Sequence, residues 1–274
     1  MQIKSKKILF GLVCVGILAA ITYAIVRASQ SQVTDSFTDE TKIASKTNIT
    51  ITGGQIRLFN CGDPVTFTYK GEEVTYYSTS SLGECWMDRN LGALQVATYA
   101  TDSAAYGDLF QWGREDDDHQ SITWTSWNSG TPDHPTEVEG DMTLTQQPGH
   151  SDFITEQTSP YDWATTTWTS RWTVAADDPC PDGWRVPTNT ELSTEEASWA
   201  QQNYNGAYAS PLKLTTAGDR VYSSGNLNNV GSFGYYWSSV VNGTNAWYLN
   251  FYSSDSNLNN SYRAYGFSVR CVKD

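Results

Sequence analysis

The C-terminal part of the chain sets two rigid blocks around a soft one. Gly234-Tyr-Tyr-Trp237-Ser-Ser and Gly266-Phe-Ser-Val-Arg-Cys271-Val are aromatic and aliphatic, whereas Asn, Ser and Tyr make up more than half of residues 240–265. A chain built this way must bury its two blocks and leave the material between them partly in water. Leu249 and Phe251 repeat with period two, so in a strand both point into a core while Tyr248, Asn250 and Tyr252 point out. Tyr offers contact area with few rotors to freeze, and Asn and Ser offer adaptable donors and acceptors, the chemistry of evolved binding loops. An ordinary polar surface loop has the same composition.

Residues 1–7 carry Lys4, Lys6 and Lys7 ahead of an uncharged apolar stretch, residues 8–26. That stretch is long enough to cross a hydrocarbon layer of roughly 30 Å as a helix. Lysines on its N-terminal side predict a cytoplasmic N-terminus, a transmembrane signal anchor and a C-terminal body in the cell envelope, outside the cytoplasm. Secretion after signal cleavage is the alternative, although the apolar run is long for a signal peptide and no clear small-x-small cleavage site follows it. Residues 27–47 are polar and read as a flexible stalk. Export also suits the cysteines. Setting aside Cys14 leaves Cys61, Cys85, Cys180 and Cys271, an even number for which three pairings are open. Cys61 with Cys85 and Cys180 with Cys271 are the pairs expected here, the second tying the tail to the middle of the domain.

The formal net charge of −13, from 17 basic and 30 acidic residues, argues against nucleic acid as a partner, since phosphate binding needs a clustered basic surface. From Ile49 the pattern turns to strands: Ile49–Ile51 before Gly53-Gly54, then Val65–Tyr69 and Val74–Tyr77 about a turn at Lys70-Gly71. Pro187-Thr188-x-x-Glu191 is a capping box, predicting a helix that runs to about Asn203. A shorter helix is expected near Asp102–Phe110. Leu212–Leu214, Tyr235–Ser239, Ala246–Tyr252 and Phe267–Val272 read as short strands. One or two helices, many short strands and long ordered loops predict an α+β domain over residues 48–274. Trp124, Trp127, Trp163, Trp168 and Trp172 are expected mainly as loop and core anchors, with a sugar-binding platform as the functional alternative.

Several motifs in order, Cys85-Trp-Met-Asp-Arg-Asn-Leu-Gly-Ala93, Tyr106-Gly-Asp-Leu-Phe-Gln-Trp-Gly-Arg114, Asp178-Pro-Cys-Pro-Asp-Gly-Trp-Arg-Val-Pro-Thr188, Tyr236-Trp-Ser-Ser239 and Gly266–Val272, resemble the Fibrobacter succinogenes major paralogous domain. That family is similar to C-type-lectin-like folds, in their formylglycine-generating-enzyme-like branch. The resemblance implies a compact domain whose N- and C-terminal strands pair and whose loop-rich face carries a binding site. The stretch from Trp237 to Cys271 further resembles the variable region of proteins diversified by diversity-generating retroelements. There, adenine-directed errors scatter Asn codons among many residue types but cannot produce Lys, Glu, Gln or Met. None of those four occurs between Leu214 and Val272.

On that resemblance the ligand-binding, diversified positions are Val241, Asn242, Asn245, Trp247, Tyr248, Tyr252, Asp255, Asn257, Asn259, Asn260, Tyr262, Ala264 and Tyr265, within a variable segment at 240–265. Trp247 fits least, because an AAC-type codon cannot yield Trp. Ala246, Leu249, Phe251 and Arg263 would be scaffold. The ligand would be a protein or glycan on another surface, and the function affinity. The rival readings are a glycan-binding adhesin with a fixed Trp-rich site, or a structural surface protein.

Lectin-type calcium motifs are missing: Trp127-Asn128 is followed by Ser129, and Glu115-Asp-Asp-Asp118 lacks the spacing and glycine of a calcium loop. That acidic run reads as a solvated turn. The cysteines are better explained as structural bridges than as a reactive pair or a zinc site. His119, His134 and His150 lie in loops with no nucleophile motif near them. No catalytic residue, metal ligand or cofactor is assigned, and the chain is read as a non-enzyme.

Overall fold

The computed structural model describes residues 49–52, 55–138, 148–164, 171–172 and 178–274. The expected anchor at 8–26, the stalk at 27–47 and Trp168 lie outside these residues. Among the described residues no helix is long and apolar enough to cross a membrane. Two compact units are distinguished, residues 1–56 and 57–274.

The second unit is α+β and rich in short strands. Its largest sheet has five strands in the order Trp184–Arg185, Val272–Lys273, Glu84–Met87, Glu72–Ser81 and Pro64–Tyr69. The expected hairpin is present: Pro64–Tyr69 pairs antiparallel with Glu72–Ser81, closing at Tyr69↔Glu72. Lys70 and Gly71 both have positive φ, 50° and 78°, the type I′ geometry whose twist matches the strands on either side. Val272 pairs with Trp86, so the end of the chain is a strand beside one from its first half. Both disulfides are the expected ones. Cys61–Cys85 spans 24 residues and Cys180–Cys271 spans 91, the latter joining the residue just before the strand Val272–Lys273 to the loop before Trp184.

The capping box forms as read: the Thr188 hydroxyl accepts the Glu191 N–H, and the Glu191 carboxylate accepts the Thr188 N–H at 2.7 Å. The helix, however, spans only Asn189–Ala197, not the run to Asn203. Asn203 instead caps a second short helix, Tyr204–Ala209, accepting from the N–H groups of Asn205 and Gly206. Gly206 is required there, because a Cβ would meet the Gln201 carbonyl oxygen at 1.9 Å. The helix expected near Asp102–Phe110 is a single 3-10 turn, Ser103–Ala105, capped by Asp102 and ended by Gly107 at φ 71°. Phe110–Gln111 then enters a four-stranded sheet with Gly266–Phe267, Asp219–Arg220 and Leu227–Asn228. Leu212–Leu214 is not a strand. Leu212 and Leu214 are fully buried, but the local backbone bonds to other partners, with Leu214 donating to the Ala207 carbonyl and Thr215 to the Tyr236 hydroxyl. The expected Phe267–Val272 strand is split into Gly266–Phe267 and Val272–Lys273.

Guanidinium groups tie the loops together where sheet is lacking. Arg114, Arg171, Arg220, Arg263 and Arg270 are all fully buried. Arg270 donates to Asn90 Oδ1 at 2.7 and 3.1 Å and to the carbonyls of Leu212 and Met87. Arg220 donates to the carbonyls of Gly225, His119 and His134. Arg171 and Arg263 share the buried Asp162 carboxylate, at 2.5 and 3.1 Å. One cation satisfying several loop carbonyls is a compact answer to the rule that buried backbone groups need partners.

Candidate functional site

The segment 240–265 forms most of a three-stranded antiparallel sheet: Gly234–Asn242, Asn245–Phe251 and Ser256–Tyr262. The first hairpin turns at Gly243-Thr244, with Gly243 at φ 61°. A register shift between Trp237 and Val241 bulges the first strand. There the body takes hold of it: the Trp112 indole N–H donates to the Ser238 carbonyl and Ser239 donates to the Pro187 carbonyl, both at 2.8 Å. Bulges of this kind re-aim side chains at the rim of a sheet.

Cross-strand register assigns the faces. Tyr236, Leu249 and Leu258 lie in one row and Phe251 pairs with Ser256 in the next. These side chains pack against Trp86, Leu192 and Trp199 in a closed cluster. The opposite face carries the rows Trp237, Tyr248, Asn259 and Tyr235, Asn250, Asn257. Leu249 and Phe251 are fully buried, while Tyr248, Asn250 and Tyr252 are half-buried, the alternation expected from the sequence.

The candidate positions divide. Asn242, Asn257 and Asn259 are exposed; Val241, Asn245, Trp247, Tyr248, Tyr252, Asp255, Asn260, Tyr262 and Tyr265 are half-buried. Ala264 is fully buried, packed with Ile154, Trp163 and Ala164, so it belongs with the frame and not with a ligand-facing set. The register puts Trp247, opposite Asn260, and Asn245, opposite Tyr262, on the same face as Leu249, away from Tyr248. Ala246 and Arg263, read as scaffold, are buried.

Around Phe267, itself 2% exposed, the tyrosines converge. Tyr235, Tyr248 and Tyr265 pack on its ring at centroid distances of 5.0, 4.9 and 5.4 Å. Tyr222 continues the row against Tyr265 and Tyr262, and Phe233 extends it from Tyr235 to Tyr252. Tyr161 joins from a remote loop, its ring tilted 42° against that of Tyr262 at a centroid distance of 4.5 Å, and is held at φ 58°, a region that costs energy for a bulky side chain. Tyr161, Tyr222, Phe233 and Tyr235 lie outside 240–265, and nothing in their local sequence marks them as neighbours of it. Among the described residues, the hydroxyls of Tyr222, Tyr248, Tyr252, Tyr262 and Tyr265 make no hydrogen bond to protein.

Beneath this platform lies Asp219, 3% exposed. Its Oδ1 accepts from Asn229 Nδ2 at 3.2 Å, and the same amide donates to the Tyr235 hydroxyl at 3.0 Å. Burial raises the Asp219 carboxyl to about 7, with the Asn229 and Asn228 amides only partly opposing it. Burial and then the Asp219 charge push the Tyr248 and Tyr265 phenols upward, so both remain donors throughout the neutral range.

Other candidates resolve into structure. Trp163 and Trp172 are buried, with their indoles donating to the carbonyls of Trp112 and Arg114, and Trp124 donates to Gly107. A sugar platform cannot use rings enclosed in this way, and of the tryptophans expected there only Trp127 is exposed among the described residues. The acidic run is engaged internally instead of forming a simple solvated turn: Asp117 pairs with Arg114 and His119, and Asp116 accepts from Gln120. His119 is driven down to about 3, chiefly by burial and then by Arg114. It is a neutral ring, accepting the Gln111 N–H and donating to Asp117. Glu137, His150 and Asp152 converge as metal-type ligands. His150 Nδ1 accepts the Asp152 N–H, which leaves its proton on Nε2, facing Glu137 at 2.8 Å, an arrangement suited to a hydrogen bond rather than to a metal. A cavity of about 220 Å³ beside the capped helix is lined by Ser81, Trp86, Glu191 and Glu195. Glu191 there is already spent on Arg185 and the cap.

No family model, curated protein or solved structure matches the chain.

Proposed function

We propose that the chain is a binding protein whose C-terminal sheet presents a changeable recognition surface on a fixed, C-type-lectin-like frame, exported and held at the cell envelope by the anchor at 8–26. The observation that carries this reading is the division of one sheet: Tyr248, Asn250, Asn257 and Asn259 on one face, and the closed packing of Tyr236, Leu249 and Phe251 on the other. Tyrosine hydroxyls and exposed Asn amides supply polar contacts, and half-buried rings supply area at low entropic cost. The pairing of Val272 with Trp86 and the Cys180–Cys271 bridge support the lectin-like frame, because both clamp the chain just past the C-terminal end of the variable segment to the body. The disulfides agree with an oxidising compartment.

The diversified part of the reading has its own test in the gene. An imperfect copy of the segment encoding residues 235–271, differing at adenines and lying beside a reverse transcriptase gene, is the expected finding. A complete genome with neither would overturn diversification, though not binding.

A further inference from the structure

We infer that the tyrosine platform takes an organic cation, such as a lysine, arginine or alkylated ammonium group, selected by the carboxylate of Asp219 beneath it. The inference rests on reading this surface as a recognition surface and names the chemistry it favours.

The placement is set by strand pairing. Arg220 pairs with Gly266, and one residue beyond that pair lie Asp219 and Phe267, on adjacent strands. Phe267 is the ring on which Tyr235, Tyr248 and Tyr265 converge. Asn229 links the Asp219 carboxylate to the Tyr235 hydroxyl through two hydrogen bonds from one amide nitrogen. Asp219 therefore sits directly behind the aromatic layer.

Its charge has no counterion among the described residues. Arg220, next in sequence, turns its guanidinium to three carbonyls and packs over Phe153 at 4.1 Å. Between Leu214 and Val272 there is no lysine. The other two arginines of that stretch, Arg263 and Arg270, are buried with partners of their own. The surface thus carries electron-rich rings, a buried negative charge and, among the described residues, no resident cation. A cation over tyrosine faces is attracted by the ring quadrupole, and more strongly where water is partly excluded. An approaching anion meets the opposite field, and a neutral group gains nothing from it. Asp219, Tyr235 and Phe267 all lie outside residues 240–265, so the preference belongs to the frame and persists when Tyr248 or Tyr265 changes.

The test titrates the full domain at pH 8 and low salt with acetyl-trimethyllysine methylamide and with its neutral tert-butyl isostere, following tyrosine ring resonances by NMR. Acetyl-lysine and acetyl-arginine methylamides, run in parallel, rank the cation type. The charged probe is expected to bind at least about tenfold more tightly than the isostere. Asp219→Asn keeps Oδ1 as the acceptor for both asparagines; it is expected to cut that preference severalfold while leaving isostere binding unchanged and Tm no lower than the parent's. Equal binding of both probes, binding of neither, or an undiminished preference in Asp219→Asn overturns the inference. A separate set, Asn242, Asn257 and Asn259 replaced together by Ser, reads the underlying surface role through Tm: a folded triple variant with no cation preference sinks the cation inference alone, whereas loss of folding sinks the surface reading.

Discussion

Tyr236 and Tyr248 stand on neighbouring strands of one sheet and do opposite things. Tyr236 is 1% exposed, and its hydroxyl accepts from Asn90 and from the Thr215 N–H and donates to the Thr215 carbonyl. Tyr248 is half-buried, leans on Phe267, and has a hydroxyl with no protein partner among the described residues. The same side chain is a lock in one place and an open contact in the other. What separates them is where each side chain is sent: Tyr236 into the closed cluster with Leu249 and Phe251, Tyr248 to the opposite face, where Trp237 is buried but the Tyr248 polar tip is left unspent. Binding needs the unspent kind, and tolerance to change needs the two kinds kept on different faces.

The contrast can be broken first at the frame. Arg270→Met leaves Asn90 Oδ1 and the Leu212 and Met87 carbonyls without their donor; a loss of about 3–5 kcal/mol, or failure to accumulate folded protein, is expected in denaturant unfolding. Removing both Cys180 and Cys271 opens a 91-residue loop, with an expected cost of about 2–5 kcal/mol measured the same way. Tyr236→Phe keeps the ring and deletes the lock, at about 1–3 kcal/mol. At the surface, replacing Asn257 and Asn259 by Ser should move stability by no more than about 0.5 kcal/mol each, measured as a shift in denaturation midpoint. If those two cost as much as Tyr236→Phe, the distinction between faces fails.

Acid sharpens the same comparison. Burial raises the carboxyl of Asp219 to about 7 and that of Asp178 to about 8, from an ordinary 3.8. Between about pH 4 and 7 or 8 the folded protein therefore holds protons that the unfolded chain has released. Stability from these groups is fully present below pH 4 and declines as pH rises through that window, by at most about 1.4 kcal/mol per pH unit for each group. Asp219→Asn should remove its share, so the stability difference from the parent grows in favour of the variant between pH 4 and 7. An unchanged pH profile would mean that Asp219 is not held in a dry site.

Much of the frame is legible in the sequence because its signals are local. Lys70-Gly71 between alternating strands, the Thr188–Glu191 box and the even cysteine set each carry their own physical cause, and each forms. The period-two pair Leu249 and Phe251 likewise fixes which way the binding strand faces. The strand Ser256–Tyr262 is not legible, since its Asn and Ser residues have poor β propensity and it exists through pairing with Asn245–Phe251. Trp163 and Trp172 read mainly as core or loop anchors with a platform as the alternative, and the alternative stays open in the sequence because composition does not say whether an indole N–H finds a carbonyl. Asp219 and Tyr161 reach the site through tertiary packing across more than one sheet or loop, which no spacing in the chain encodes. Ala264 departs from its expected ligand-facing place for a similar reason: next to the half-buried Tyr265, its burial is set by Ile154 and Trp163 from another segment.

The central claim is that recognition and folding are carried by separable sets of residues. Randomising Asn242, Tyr248, Tyr252, Asp255, Asn257, Asn259, Tyr262 and Tyr265 together in a displayed library, and scoring the protease-resistant fraction, tests it most directly. The account predicts that most variants remain resistant, while a matched library at Tyr236, Trp237, Leu249, Phe251, Phe267 and Arg270 is almost wholly degraded. Equal loss in the two libraries would contradict it.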